Sequence, residues 1–193
     1  VASAGNDHRL GANEAPPAII SMYLGDELYA VLESIKDGKP LGEHGAQKMT
    51  IGVDVLPPIP KDSTDRNRTS PFAFTGNKFE FRSCGSSLSI SGPNTTLDSI
   101  VAYTLKEFAD ELEKATDFDA ALAELIKREV TKHWRVIFNG NGYDSSWVDE
   151  AEKRGLLNLR TLPDAMAHYL DSKNVKLFTE MGVYTDVEMN SHY

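Results

Sequence analysis

The stretch 71-PFAFTGNKFEFRS-83 contains two short runs of β type, separated by a turn at Gly76-Asn77. Aromatic residues alternate with small or polar ones in both runs, which is typical of strands that have one apolar face. Glycine and asparagine in the connection favour a tight turn. We therefore predict that the two runs form or flank a β-hairpin.

The second run, 78-KFEFRS-83, has an apolar and a polar face. Because side chains alternate along a strand, Phe79 and Phe81 share one face, and we expect both of them in the core. Glu80 and Arg82 share the opposite face with Lys78. The question is whether this polar face meets bulk water or a ligand.

The spacing of Glu80 and Arg82 leaves both answers open. As an exposed ion pair they would contribute only about 0–1 kcal/mol to stability. Alternatively, a carboxylate on a strand is a rigid ligand for a hard cation such as Mg²⁺, and the neighbouring arginine attracts the phosphate oxygens that such a metal also binds.

The predicted strands all lie before residue 94, and every element predicted after it is a helix. Upstream of the hairpin, 18-AIISMYLGDELYAVLESIKDG-38 has apolar residues at helical spacing, and 49-MTIGVDVL-56 alternates like a strand. Further helices are predicted at 95–115, 117–138, 147–155 (capped by Ser145 or Ser146), 162–172 (capped by Thr161) and 173–182. The predicted fold class is α+β, with a few antiparallel strands in residues 1–93 and helices in residues 94–193.

Composition excludes several classes of function. The 193 residues are 40% hydrophobic and 25% charged, which is ordinary for a globular protein, and the net charge of -9 argues against nucleic acid as a partner. No apolar run is long enough to span a bilayer, so we expect no membrane partner and a cytoplasmic location. The single cysteine, Cys84, fits a reducing compartment.

The two ends of the chain suggest a piece of a longer protein. The sequence opens at Val1 without an initiator methionine, and it stops at 189-MNSHY-193 without a capping or turn signal.

Two further polar stretches precede the hairpin. The loop 5-GNDHRLGANEAPP-17 carries Arg9 and Glu14, and its simplest interpretation is a solvated connection. In 65-DRNRTSPF-72, Arg66 and Arg68 lie on a constrained segment, where guanidinium groups can fork onto phosphate or carboxylate oxygens.

The order of these motifs carries a resemblance to a known family. The motifs are 9-RLGANEAP-16, 67-NRTS-70, 79-FEFR-82 and 94-NTTL-97, followed by 137-IFNGNGYDSSWVDEAEKRGLLNLRTLPDA-165 and 176-KLFTEMGVYTDVEM-189. This series resembles the C-terminal half of the glutamine synthetase catalytic domain, and its residues are similar to those of the long type III branch. The resemblance covers essentially all 193 residues. It implies that the strands belong to a larger active-site sheet and that a long helix starts at the asparagine of the fourth motif.

The resemblance also implies residue roles. Arg9 matches the arginine that holds the carboxylate of bound glutamate, and Glu14 matches the glutamate of a mobile flap that helps take a proton from ammonium. Arg68 matches an arginine on the ATP phosphates. Glu80 matches a ligand of a divalent metal, Mg²⁺ or Mn²⁺, and Arg82 matches an arginine at the transferring phosphate and the substrate.

The chain departs from the family pattern at one arginine. The family has a second arginine shortly after the Asn-Arg-Ser-Ala segment, but 71-PFAFTG-76 contains none, and Arg66 is the candidate substitute. The scattered histidines show no metal-ligand spacing, and 139-NGNG-142 is interpreted as a turn because it lacks the dinucleotide-binding pattern.

The implied activity is ATP-dependent synthesis of glutamine from glutamate and ammonia through a γ-glutamyl phosphate. The implied parent protein is a homo-oligomer similar to a dodecamer. Because Glu80 is the one matched metal ligand, we expect these 193 residues alone to be inactive. Two alternatives stay open: a non-catalytic binding or oligomerisation module, and a related ligase that acts on another amine or acid.

Overall fold

The computed structural model of the chain describes residues 19–39, 48–49, 59–60, 70–82 and 89–193. Within these ranges the strands are β1 (Met22–Tyr23), β2 (Lys48–Met49), β3 (Ile59–Pro60), β4 (Phe72–Phe74) and β5 (Phe79–Phe81). The helices are α1 (Gly25–Asp37), α2 (Ser91–Leu112), α3 (Phe118–His133), a 3₁₀ turn (Trp134–Val136), α4 (Ser145–Lys153), α5 (Leu162–Met166), α6 (Ser172–Glu180) and α7 (Asp186–His192). The predicted α+β class is confirmed.

The hairpin forms as predicted. Strands β4 and β5 pair antiparallel, with Phe74 opposite Phe79, and the Thr75 amide donates to the Lys78 carbonyl at 2.8 Å. Gly76 has φ 95°, and a positive φ at the first of the two central residues is what a primed hairpin turn requires.

The three-stranded sheet has the order β1-β4-β5 and is mixed. Strand β1 lies parallel to β4, with Met22 opposite Phe72 and Tyr23 opposite Ala73. The sequence analysis did not predict this strand, because it placed these residues in a helix. Between the two strands the chain passes through α1, and a crossover of this kind is what joins parallel neighbours. Strands β2 and β3 form a separate antiparallel pair. Most of the strand predicted at 49–56 lies outside the described residues.

Helix α1 begins later than its apolar spacing predicts. Gly25 has φ 74°, which a right-handed helix does not allow, so residues 19–24 cannot continue the helix upstream and instead contain β1. The predicted stop is confirmed. Gly38 has φ 66°, and its amide and that of Lys39 donate to the carbonyls of Ile35 and Ser34.

Helix α2 begins at Ser91 and not at Asn94, where the resemblance puts the helix start. The Asn94 amide already donates to the Ile90 carbonyl at 3.1 Å. Pro93 is tolerated in this first turn because an amide there would have no partner inside the helix. The Ser89 hydroxyl accepts from the Ser91 amide at 3.2 Å and satisfies another such donor.

Side chains cap three of the short helices. The carboxylate of Asp144 accepts from the Ser146 amide at 2.9 Å, so the cap of α4 is neither of the two serines that the sequence suggested. Thr161 caps α5 as predicted, in a capping box with Asp164. Thr185 caps α7, a helix that the sequence analysis missed.

The chain divides into two compact units. The described parts of one unit lie within Ile19–Arg82 and Ile126–Leu156, and this unit contains the three-stranded sheet, α1 and α4. Its core consists of Ile19, Trp147 and Ala151, against which Phe138 stacks at a ring distance of 3.7 Å.

The other unit contains α2, α5, α6 and α7 in its described parts. Helix α6 contacts both α2 and α7. Met189 of α7 is fully buried, whereas Ile100, Val101 and Leu105 of α2 are exposed, so α2 buries only part of its apolar face. In the part of the chain that the structure describes, no helix combines the length and apolarity needed to cross a bilayer.

Candidate functional site

Strand β5 carries the polar face that the sequence analysis singled out. Glu80 lies opposite Ala73 of β4, and the Arg82 amide donates to the Pro71 carbonyl at 2.7 Å. Because both residues lie in the ladder of the hairpin, their backbones are fixed while their side chains project from one face.

Glu80 bridges two cations on that face. Its Oε1 lies 3.2 Å from the Lys78 Nζ, and its Oε2 lies 3.3 Å from the Arg82 Nη2. The Glu80 side chain is 38% exposed and that of Arg82 is 20% exposed. The carboxylate therefore remains accessible from solvent while its two oxygens are oriented by neighbouring charges.

These neighbours also control the charge of Glu80. The hydrogen bond from Lys78 is the main cause that holds the pKa of Glu80 below its ordinary value, and the bond from Arg82 acts in the same direction. Partial desolvation opposes this shift and does not reverse it. The side chain is consequently an anion throughout the neutral range, which is the form that binds a metal.

The opposite face of the hairpin is aromatic. Phe72 stacks on Phe79 at 5.6 Å and contacts Phe81 at 6.3 Å, while Phe74 lies 5.2 Å from Phe79. Phe79 is 44% exposed, so the prediction that it lies in the core is wrong. It packs against the rings of Phe72 and Phe74 in a strand at the edge of the three-stranded sheet.

The donor set decides how a divalent metal could bind. Among the residues that the structure describes, no group of three or more His, Cys, Asp or Glu side chains could hold an ion. Mg²⁺ and Mn²⁺ favour several oxygen ligands. Glu80 fits as one of those ligands, and the described ranges do not supply the rest.

The other four residues to which the sequence analysis gave roles lie outside the described residues. They are Arg9, Glu14, Arg66 and Arg68. Of the six residues assigned to the site, the structure therefore brings together Glu80 and Arg82.

Lys78 is a residue of this face to which the sequence analysis gave no role. Its ammonium contacts Glu80 directly. The signal was present in the alternation of 78-KFEFRS-83, which puts it on the same face as Glu80 and Arg82.

The chain is similar to known proteins over its whole length. It is 48% identical to the type-3 glutamine synthetase of Dictyostelium discoideum, an alignment that covers 99% of the chain and 26% of that protein. It is 46% identical to a glutamine synthetase of Butyrivibrio fibrisolvens (100% of the chain, 28% of that protein) and 38% identical to one of Bacteroides fragilis (98% and 27%).

A family model gives the same result for the helical end. Residues 121–193 match the glutamine synthetase C-terminal domain. The chain is similar to glutamine synthetases along nearly its whole length. The resemblance found in the sequence motifs is thus confirmed, including the likeness to a type-3 member.

The alignments cover only a part of each relative. The chain spans about a quarter of the length of the curated glutamine synthetases that it matches. Glu80 and Arg82 lie inside the aligned region, because the alignments cover nearly all of the chain.

Proposed function

We propose that this chain is part of a glutamate–ammonia ligase that makes glutamine with ATP through a γ-glutamyl phosphate. The observation that carries the proposal is the similarity of the whole chain to three glutamine synthetases at 38–48% identity. The oriented carboxylate and guanidinium on one face of β5 supply the kind of groups that such a reaction needs.

The first step requires the neutralisation of negative charge. An oxygen of the glutamate γ-carboxylate attacks the terminal phosphorus of ATP, the bond to ADP breaks, and an acyl phosphate forms. Arg68, with Arg66 as a second candidate, binds the ATP phosphates in this proposal, and Arg9 binds the carboxylate of glutamate. Arg82 faces the transferring phosphate, where a fixed guanidinium stabilises the developing charge.

The second step joins nitrogen to carbon. Glu14 takes a proton from ammonium, and the resulting ammonia attacks the acyl carbon. Hydrogen phosphate then leaves with the oxygen and with a second proton from the attacking nitrogen. Water must be excluded at this point, because it would hydrolyse the acyl phosphate.

Glu80 is the proposed ligand of a divalent metal, Mg²⁺ or Mn²⁺. When bound, such an ion supplies positive charge beside the phosphates. Glu80 contributes an ionised oxygen that Lys78 and Arg82 keep in place. A cytoplasmic location and a homo-oligomer similar to a dodecamer complete the proposal.

The test uses the full-length natural protein that contains this chain. We expect ATP-dependent glutamine formation from glutamate and ammonium, and a loss of kcat of about 100-fold or more for Glu80→Gln, by analogy with removal of one charge-stabilising group. The apparent affinity for Mg²⁺ should weaken in the same variant.

A matched control is Glu180→Gln. Glu180 forms an exposed helical ion pair, with its Oε1 3.8 Å from the Lys176 Nζ, and its loss should leave kcat unchanged. Equal activity in Glu80→Gln and the unmodified protein would contradict the metal-ligand role and favour the binding-module alternative.

A further inference from the structure

The segment 137–139 continues the sheet that carries Glu80 on the side of β1. Ile137 forms a parallel bridge with Met22, and the Phe138 amide donates to the Met22 carbonyl at 2.9 Å. The order across the sheet is therefore segment 137–139, β1, β4 and β5.

Asn139 extends this pairing with its side chain. Its Oδ1 accepts from the Leu24 amide at 2.9 Å, and its Nδ2 donates to the Gly25 carbonyl at 3.3 Å. Leu24 is buried and precedes the first residue of α1 without a side-chain cap of its own. The Asn139 amide thus fixes the point where β1 ends and α1 begins.

The segment itself is held from its other side by α4 and the residue that follows it. Arg154 donates from Nη1 to the Ile137 carbonyl at 2.9 Å, and Glu150 anchors the same guanidinium at 2.7 Å. The Phe138 ring stacks on Trp147, which is buried. Asn139 therefore belongs to a fixed edge and not to a free turn.

A single row of residues connects this edge with the site. Tyr23 lies opposite Ala73, and Ala73 lies opposite Glu80. Asn139 bonds to Leu24, the residue next to Tyr23. A shift of β1 against β4 would consequently be passed to the backbone that carries Glu80 and Arg82.

We propose that Asn139 is a positioning residue for the strand that carries Glu80 and Arg82. It acts through β1 and β4 and does not touch the substrate. The proposal rests on the proposed function for its effect on catalysis, whereas its effect on the sheet stands apart from it.

The experiment compares two asparagines of the same loop in the full-length natural protein. Asn139→Ala removes both bonds to Leu24 and Gly25. Asn141→Ala is the matched control, because the Asn141 side chain accepts from the Tyr143 amide within its own turn. We expect kcat to fall about 10- to 100-fold in Asn139→Ala with little change in KM, as for a misplaced catalytic group, and to stay unchanged in the control.

Hydrogen exchange gives a readout besides activity. In Asn139→Ala, backbone amides of 79–82 should exchange faster than in the unmodified protein, and in Asn141→Ala they should not. If Asn139→Ala does not fold, Asn139→Asp decides, because it keeps an acceptor for Leu24 and loses the donor to Gly25. Faster exchange at 79–82 and a lower kcat are then expected, with smaller changes than in Asn139→Ala.

The outcomes separate the two proposals. An unmodified protein that makes no glutamine contradicts the proposed function, and exchange at 79–82 still decides the coupling. Exchange and kcat that are the same in the Asn139 variants and in Asn141→Ala overturn the positioning role. A rise of KM with an unchanged kcat in Asn139→Ala overturns it as well.

Discussion

The charge of Glu80 depends on neighbours that the hairpin brings to one face. Alternation puts Lys78 and Arg82 beside it, and their hydrogen bonds lower the pKa of its carboxyl. A carboxylate with a lowered folded pKa stabilises the folded state at pH values above its unfolded pKa. That contribution is lost as the pH falls through the folded pKa.

Lys78→Met should raise the pKa of Glu80 toward its ordinary value, because Lys78 is the largest cause of the shift. The titration midpoint of the Glu80 carboxyl carbon, followed by NMR, measures this. Lys106→Met is the control, since Lys106 pairs with Asp110 at 2.8 Å and not with Glu80. An unchanged midpoint in Lys78→Met would show that Arg82 alone sets the shift.

Local sequence signals explain some elements of the fold and not others. The hairpin and the cap at Thr161 follow from alternation, turn residues and capping chemistry, all of which act within a few positions. The start of α2 could not be found in this way. A proline usually indicates the end of a helix, but Pro93 lies in the first turn of α2, where it is tolerated. The parallel partner of β1 lies about 50 residues away, and no local pattern encodes it.

Helix α7 was missed although its signal is local. Thr185 and Glu188 have the spacing of a capping box: the Thr185 amide donates to the Glu188 Oε2 at 2.8 Å, and the Glu188 amide donates to the Thr185 hydroxyl. The helix has 7 residues, and Met189 is the one residue that it buries. It therefore shows no repeated apolar spacing.

Thr185→Ala should lower the free energy of unfolding by about 1 kcal/mol, the usual contribution of a threonine cap. Chemical denaturation of the chain and of the variant measures the difference. Ser191→Ala is the matched control, because the Ser191 hydroxyl donates to the Glu188 carbonyl inside the same helix and caps nothing. Equal losses in both variants would mean that the cap adds no stability of its own.

At the scale of the whole molecule, the described ranges contain one carboxylate at the candidate site and lack a complete metal-binding group. The proposed reaction needs further metal ligands, an adenine pocket and a flap besides Glu80. The sequence motifs could assign Arg9, Glu14 and Arg68 by resemblance, but these residues lie outside the described ranges, so their roles stay predictions.

The 193-residue chain alone should form no glutamine from glutamate, ammonium and ATP. The reason is that Glu80 cannot hold a divalent ion as a single ligand. A coupled assay for ADP release together with direct detection of glutamine checks this, with the full-length natural protein as the positive control. Glutamine formed by the chain alone would contradict the prediction.

The amide of Asn139 has a chemical consequence because of the residue that follows it. A Cβ at Gly140 would collide with the Phe138 ring, which favours a glycine directly after Asn139. In this pair the glycine nitrogen can attack the side-chain carbonyl of the asparagine, expel ammonia and close a succinimide, which water then opens to aspartate or isoaspartate. The bonds to Leu24 and Gly25 restrain the side-chain amide that would have to move for such an attack. A chain that has opened at this edge and lost these bonds should therefore deamidate at Asn139 faster than the folded chain.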